Sequence, residues 1–137
     1  MIARLNGCLT EYIEFKDFFH VSGDRFSCNL RINSPPFQAI KTFDFEISFA
    51  QVLIAKLKEF YRTPHRFEPF KLAVSPWEQE YISFSGDELG HISVEGILVK
   101  HGNSIQMLDF SFATDQTMIK NFIIDFEKLL NDANHKE

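Results

Sequence analysis

Ser104-Ile-Gln-Met-Leu-Asp-Phe-Ser-Phe-Ala-Thr-Asp-Gln-Thr-Met-Ile-Lys-Asn-Phe-Ile-Ile-Asp-Phe-Glu-Lys-Leu-Leu-Asn131 is the stretch that decides the fold. Its first part alternates: Leu108, Phe110 and Phe112 point one way, Met107, Asp109 and Ser111 the other. That two-residue period predicts a strand over 104–112. From Met118 the period changes. Met118, Ile119, Phe122, Ile123, Phe126, Leu129 and Leu130 recur at intervals of three and four, which places them on one face of a helix. Between the two segments, Thr114 or Asp115 offers a short side-chain oxygen that can accept from an orphan backbone N–H at a helix start. Burying each large apolar side chain stabilises by roughly 1.5–3 kcal/mol, so a face this apolar requires a broad surface to cover it.

Working back from there, the chain supplies that surface. Asn6-Gly7 is a turn signal between Ile2–Leu5 and Leu9–Phe15, and predicts an N-terminal hairpin. Asp17–Val21 reads as an irregular extension, and Gly23-Asp24 as the next turn. Over Arg25–Asn33, Phe26, Cys28, Leu30 and Ile32 alternate with polar residues. Ser34-Pro35-Pro36 breaks that strand, and Gln38–Ile47 follows with Phe43, Phe45 and Ile47 inward. Ser48-Phe-Ala-Gln51 has the spacing of a capping box and opens a helix at 49–61. Further strands are expected at Phe67–Val74, Tyr81–Ser85 and His91–Val99. Gly96 in the last of these points to a bulge or a close backbone approach. The order is β-β-β-α-β-β-β-β-α with an extra N-terminal hairpin. It predicts an α+β fold in two layers: a mainly antiparallel sheet of six to eight strands with both amphipathic helices on one face. No repeat or linker divides residues 1–137, so a single domain is expected.

The composition narrows the function classes. Hydrophobic residues make up 45% of the chain, which suits a packed core, and the 16 phenylalanines fit strand and helix faces. A net charge of −5 argues against nucleic-acid binding, which needs basic surface to displace counterions. The N-terminus has no signal-peptide pattern, and Val52-Leu-Ile-Ala55 is too short to span a bilayer, so a cytoplasmic protein with no membrane contact is expected. Cys8 and Cys28 lack metal or redox spacing and read as free thiols.

No reaction is announced. His20, His65, His91, His101 and His135 are scattered and form no metal-ligand motif, so neither a metal nor another cofactor is expected. Ser85-Gly-Asp87 and Ser22-Gly-Asp24 lack the frame of a nucleophile elbow, and no catalytic residue is assigned. Glu14, Asp44, Glu46, Glu95 and Asp109 all fall on the predicted solvent face of the sheet. Were their strands neighbours, they would form an acidic docking face for a basic partner, partly neutralised by Lys16, Arg25 and Arg31. A carboxylate pair for glycoside hydrolysis is disfavoured, because a flat sheet face lacks a pocket. Trp77, on the Ser75-Pro-Trp-Glu78 turn, is expected to cover the end of the core; its alternative use is as a partner anchor. The loop Arg62-Thr-Pro-His-Arg66 reads as a solvated helix end.

Several framework features occur together. They are the Asn6-Gly7 turn, F-x-C-x-L at Phe26–Leu30, S-F-A-Q at Ser48–Gln51, E-L-G-H-I-S-V-E-G at Glu88–Gly96 and L-D-F-S-F-A-T-D-Q at Leu108–Gln116. In these the chain resembles the WapI-type bacterial immunity proteins that accompany polymorphic and contact-dependent toxins. The resemblance implies a non-enzymatic cytoplasmic protein that binds and neutralises a cognate toxin domain, often a nuclease, with no cofactor. It transfers no binding residues. Glu14, Asp44, Glu46, Glu95, Asp109 and Trp77 are therefore candidates from the pattern alone. The alternatives are a small-ligand-binding module and a structural module that forms homo-oligomers through a sheet edge.

Overall fold

A computed structural model describes residues 1–134. Eight strands and two long helices run in the order β1 (Ile2–Asn6), β2 (Tyr12–Ser22), β3 (Arg25–Ser34), β4 (Phe37–Glu46), α1 (Ile47–Arg62), β5 (Phe67–Leu72), β6 (Tyr81–Gly86), β7 (His91–Lys100), β8 (Gln106–Asp115) and α2 (Ile119–Asn134). The α+β class and the antiparallel pairing are as the sequence predicts. The strands divide into two sheets of four, β1-β2-β3-β4 and β5-β6-β7-β8, each an antiparallel meander. The connectivity is thus four strands and a helix, twice over, with no repeat in the sequence to announce it.

Each strand follows its own alternation. β3 buries Phe26, Cys28, Leu30 and Ile32, and β8 buries Phe110 and Phe112. β2 runs on through the expected irregular stretch. It absorbs an extra residue between Lys16 and Phe19, where Asp17 takes a positive φ of 55°. Gly96 sits in a regular ladder without a bulge. A Cβ there would lie 2.3 Å from the Tyr81 carbonyl oxygen, so close approach is what requires glycine.

Helix α1 starts two residues before the expected position, and the Ser48–Gln51 capping box does not form. Its N-cap is Glu46, which makes no side-chain cap bond. The Ile47 N–H donates instead to the Asp24 carbonyl at 2.8 Å, so a neighbouring turn satisfies the helix end. At the other helix the expected cap is present: Asp115 accepts from the Thr117 N–H at 2.9 Å, opening a short turn of 3-10 helix that leads into α2.

The helices tie the two sheets together. α2 follows the second sheet but packs on β1 and β2 of the first, and α1 lies against β5 of the second. Phe122 and Phe126 of α2 meet Phe15 of β2 at ring-centroid distances of 5.9 and 5.2 Å, and Phe126 also meets Phe18 at 5.2 Å. In the other direction Phe60 of α1 meets Phe67 of β5 at 5.6 Å. One contiguous core cluster draws on both sheets and both helices.

The sheets are joined backbone to backbone at two places. Cys8 N–H donates to the Ala113 carbonyl and Glu46 N–H to the Ala73 carbonyl, at 2.8 and 2.9 Å. Each contact runs from the last strand of one sheet to the chain just past the first strand of the other.

Candidate functional site

The division into two sheets changes the expected acidic face. Glu14, Asp44 and Glu46 belong to the first sheet, and Glu95 and Asp109 to the second. They therefore form no single patch. Glu14 lies on the expected face but is closed over. Arg4 and Arg31 stand directly opposite it on the flanking strands. The Arg4 Nε donates to Glu14 Oε1 at 2.7 Å while the same guanidinium lies 4.1 Å from the Tyr12 ring centroid. A buried, paired carboxylate of this kind is not available to a partner.

Asp44 is half-buried and pairs with Arg25 at 3.1 Å, with Ser27 Oγ donating to it at 2.7 Å. Glu46 is half-buried at the helix start. Glu95 and Asp109 are exposed, and the register puts them diagonally next to each other on one face, since Glu95 opposes Ser111 and Ile97 opposes Asp109. Of the five expected carboxylates, these two are brought together in the open.

Trp77 does not cover the core. It is 90% exposed on a turn held by Glu78 N–H to the Ser75 carbonyl at 3.2 Å. The turn links β5 to β6 and holds the indole in solvent, while Leu72 and Ala73 before it are buried. Glu78, Gln79 and Glu80 then line a polar depression with Asp44 and Arg25 opposite. Trp77 and Asp44 thus belong to neighbouring parts of one surface.

That depression is contiguous with a larger groove of about 770 Å³, since Lys41, Val99 and His101 line both. One wall is the first half of β4, from Phe37 to Lys41; the other is the end of the β7–β8 hairpin. Phe37 and Ile40 are each 63% exposed and Met107 57%. Solitary exposed apolar residues are ordinary, but several around one groove mark an interaction surface. Lys41 sits at its inner end. Its ammonium donates to the Val99 carbonyl at 2.7 Å and to the Glu80 carboxylate, which also accepts the Val99 N–H at 2.8 Å. Beyond Lys41 the first half of β4 and the β7–β8 hairpin stand apart as the two walls of the groove.

The groove residues escaped sequence reading, although one signal was present. Alternation in β4 is clean from Thr42 onward but fails before it, where Phe37, Ala39 and Ile40 put apolar groups on both faces. A strand segment apolar on both faces, yet next to a proline break, belongs at a boundary rather than in a core.

Other titratable groups are engaged locally. The Asp87 carboxylate accepts from the backbone N–H groups of His91 and Leu89 at 3.0 and 2.9 Å, which holds its carboxyl below the usual carboxylate range. Burial, reinforced by the nearby Asp44 charge, pushes the Cys28 thiol far up, whereas Cys8 is exposed. Arg62 and Arg66 of the basic loop are exposed as expected, with Arg66 paired to Glu68. Among the described residues, no three His, Cys, Asp or Glu side chains converge in a way that could hold a metal ion, and no helix is long and apolar enough to cross a membrane. His135 lies outside the described residues. Comparison with protein-family models, with curated proteins and with solved structures returns no match to this chain.

Proposed function

We propose that this is a non-enzymatic binding protein that docks onto a cognate bacterial toxin domain and blocks it in the cytoplasm. The observation that carries the reading is Trp77. A tryptophan 90% exposed on a turn contributes nothing to the core. Large aromatic side chains on surfaces are the residues from which partner-binding energy is most often drawn. Here the indole is followed by the exposed Glu78, at the rim of a depression whose other carboxylates, Glu80 and Asp44, are held by Lys41 and Arg25. An aromatic anchor with a free carboxylate, Glu78, at its side suits a basic cleft such as that of a nuclease, where the acid helps orient the encounter. The resemblance to WapI-type immunity proteins supplies the class of partner. Glu95 and Asp109 form a second, separate acidic contact on the other sheet.

The test is co-expression with the product of the neighbouring open reading frame. The expected result is protection of the host and a stable complex. Trp77→Ala is expected to weaken that complex by about 2 kcal/mol or more, as truncating an anchor does. A neighbour that is harmless alone, or that kills equally with and without this protein, would sink the reading.

A further inference from the structure

We propose that the groove beside β4 takes an extended peptide segment as an added strand, paired along the open edge of Phe37–Lys41, and that this segment is apolar and carries a carboxylate. The inference rests on the groove's own geometry and does not depend on the partner being a toxin.

Five consecutive residues of β4, Phe37 to Lys41, line the groove. Successive side chains on a strand point to opposite faces. A run of consecutive residues therefore lines a groove only when the edge of the strand, its backbone, faces it. β4 is the last strand of its sheet, so that edge has no strand partner. In an antiparallel ladder the N–H and C=O of one residue point the same way and alternate along the strand. Glu46 N–H points away from β3, toward Ala73, so Gln38, Ile40 and Thr42 also direct their amides outward.

Exposed edges are ordinarily blunted by charge, by proline or by cover. Over Gln38, Ile40 and Thr42 the outward positions carry no charge. Lys41 points elsewhere, to Glu80 and Val99. Main-chain pairing to such an edge supplies affinity, and pockets for alternate side chains supply selectivity. The exposed Phe37, Ile40 and Met107 provide apolar contacts for those side chains.

Charge selects among occupants. Lys100 and His101 line the groove and none of its described lining residues is acidic, in a chain whose net charge is −5. A segment bearing a carboxylate is complementary to that lining. A second copy is disfavoured, because two grooves set face to face would bring Lys100 and His101 of each against their equivalents.

Panning a phage-displayed library of random short peptides against the whole protein tests this. Enriched peptides are expected to alternate apolar residues and to contain Asp or Glu. A synthetic copy should move the backbone amide resonances of Gln38 and Ile40. Ile40→Pro removes an outward N–H and no bond to β3, and should weaken the peptide about tenfold. Lys100→Glu, at an exposed position where folding is not at stake, should weaken it about threefold or more. The proposal is overturned by a library that yields no enrichment, by winners without carboxylates, by resonance changes elsewhere, by affinity indifferent to Lys100→Glu, or by self-association of the protein through this edge.

Discussion

The ammonium of Lys41 on β4 donates to the carbonyl oxygen of Val99 on β7 at 2.7 Å, one side chain spanning the two sheets where their backbones have parted. Glu80 completes the arrangement by accepting from both Lys41 and the Val99 N–H. Glu80→Ala leaves the Val99 N–H without a partner and takes the carboxylate from Lys41, which keeps the Val99 carbonyl, and is expected to cost about 2–3 kcal/mol in urea denaturation. Lys41→Met keeps the apolar stem and should cost less. Equal losses from the two variants would show that Glu80 holds only one of its two donors.

Gly96→Ala should be more damaging than Gly86→Ala. At Gly96 the new methyl meets the Tyr81 carbonyl oxygen at 2.3 Å, and backbone in mid-sheet cannot yield. At Gly86 it meets ring atoms of Phe67 and Phe60 at 2.6 and 2.7 Å, and rings can tilt. A loss of about 2–3 kcal/mol is expected at Gly96, in the upper part of the range for overpacking. Thermal denaturation of both variants ranks them.

Because α2 packs on the first sheet and Phe60 of α1 packs on the second, fragments 1–63 and 64–137 should each fail to fold alone. Mixed, they should recover native circular dichroism. Phe126→Ala, which removes ring contacts at 5.2 Å to both Phe15 and Phe18, should destabilise the intact chain by about 3–5 kcal/mol. A cooperative unfolding transition in either isolated fragment would contradict this interdependence.

A thiol reagent such as Ellman's should titrate one cysteine in the native protein, Cys8, and both only after denaturation. Cys28 is buried in the core with its thiol pushed up, and the thiolate is the reactive form. Cys8→Ser should abolish the native reaction and leave the melting temperature unchanged.

Asp87 links stability to pH. Its carboxyl is held low, chiefly by the His91 backbone N–H and further by the Leu89 N–H, so its stabilisation is present above the usual carboxylate range. It is lost as pH falls through the folded-state value, below about pH 4. The stability gap between the wild type and Asp87→Ala should therefore narrow in acid. A gap that persists unchanged at pH 2 would assign the effect to the turn geometry instead.

What could be read from the residues was whatever a local period encodes. Phe26, Cys28, Leu30 and Ile32 declared their strand face, Phe122 and Phe126 their helix face, and Asp115 its cap. Pairing is a long-range property, and nothing in the alternation of β4 or β8 tells that their strands belong to different sheets. The same limit explains the candidate site. Glu14 reads as a solvent-facing carboxylate until Arg4 and Arg31 are placed across from it. Trp77 reads as core cover until its turn is seen to leave the indole 90% exposed. The edge of β4 was marked only by a lapse in alternation before Thr42.

The crossing of α2 onto β1 and β2 also sets the order in which the molecule can be completed during synthesis. The first sheet leaves the ribosome early, but the apolar face it turns toward Phe122 and Phe126 stays open to water until α2 has been translated. Until then Phe15 and Phe18 are exposed in a chain already rich in paired strands, the kind of intermediate on which chaperones act and from which aggregates grow. A premature stop anywhere before α2 therefore strips the sheet made first, not the one made second, of its cover.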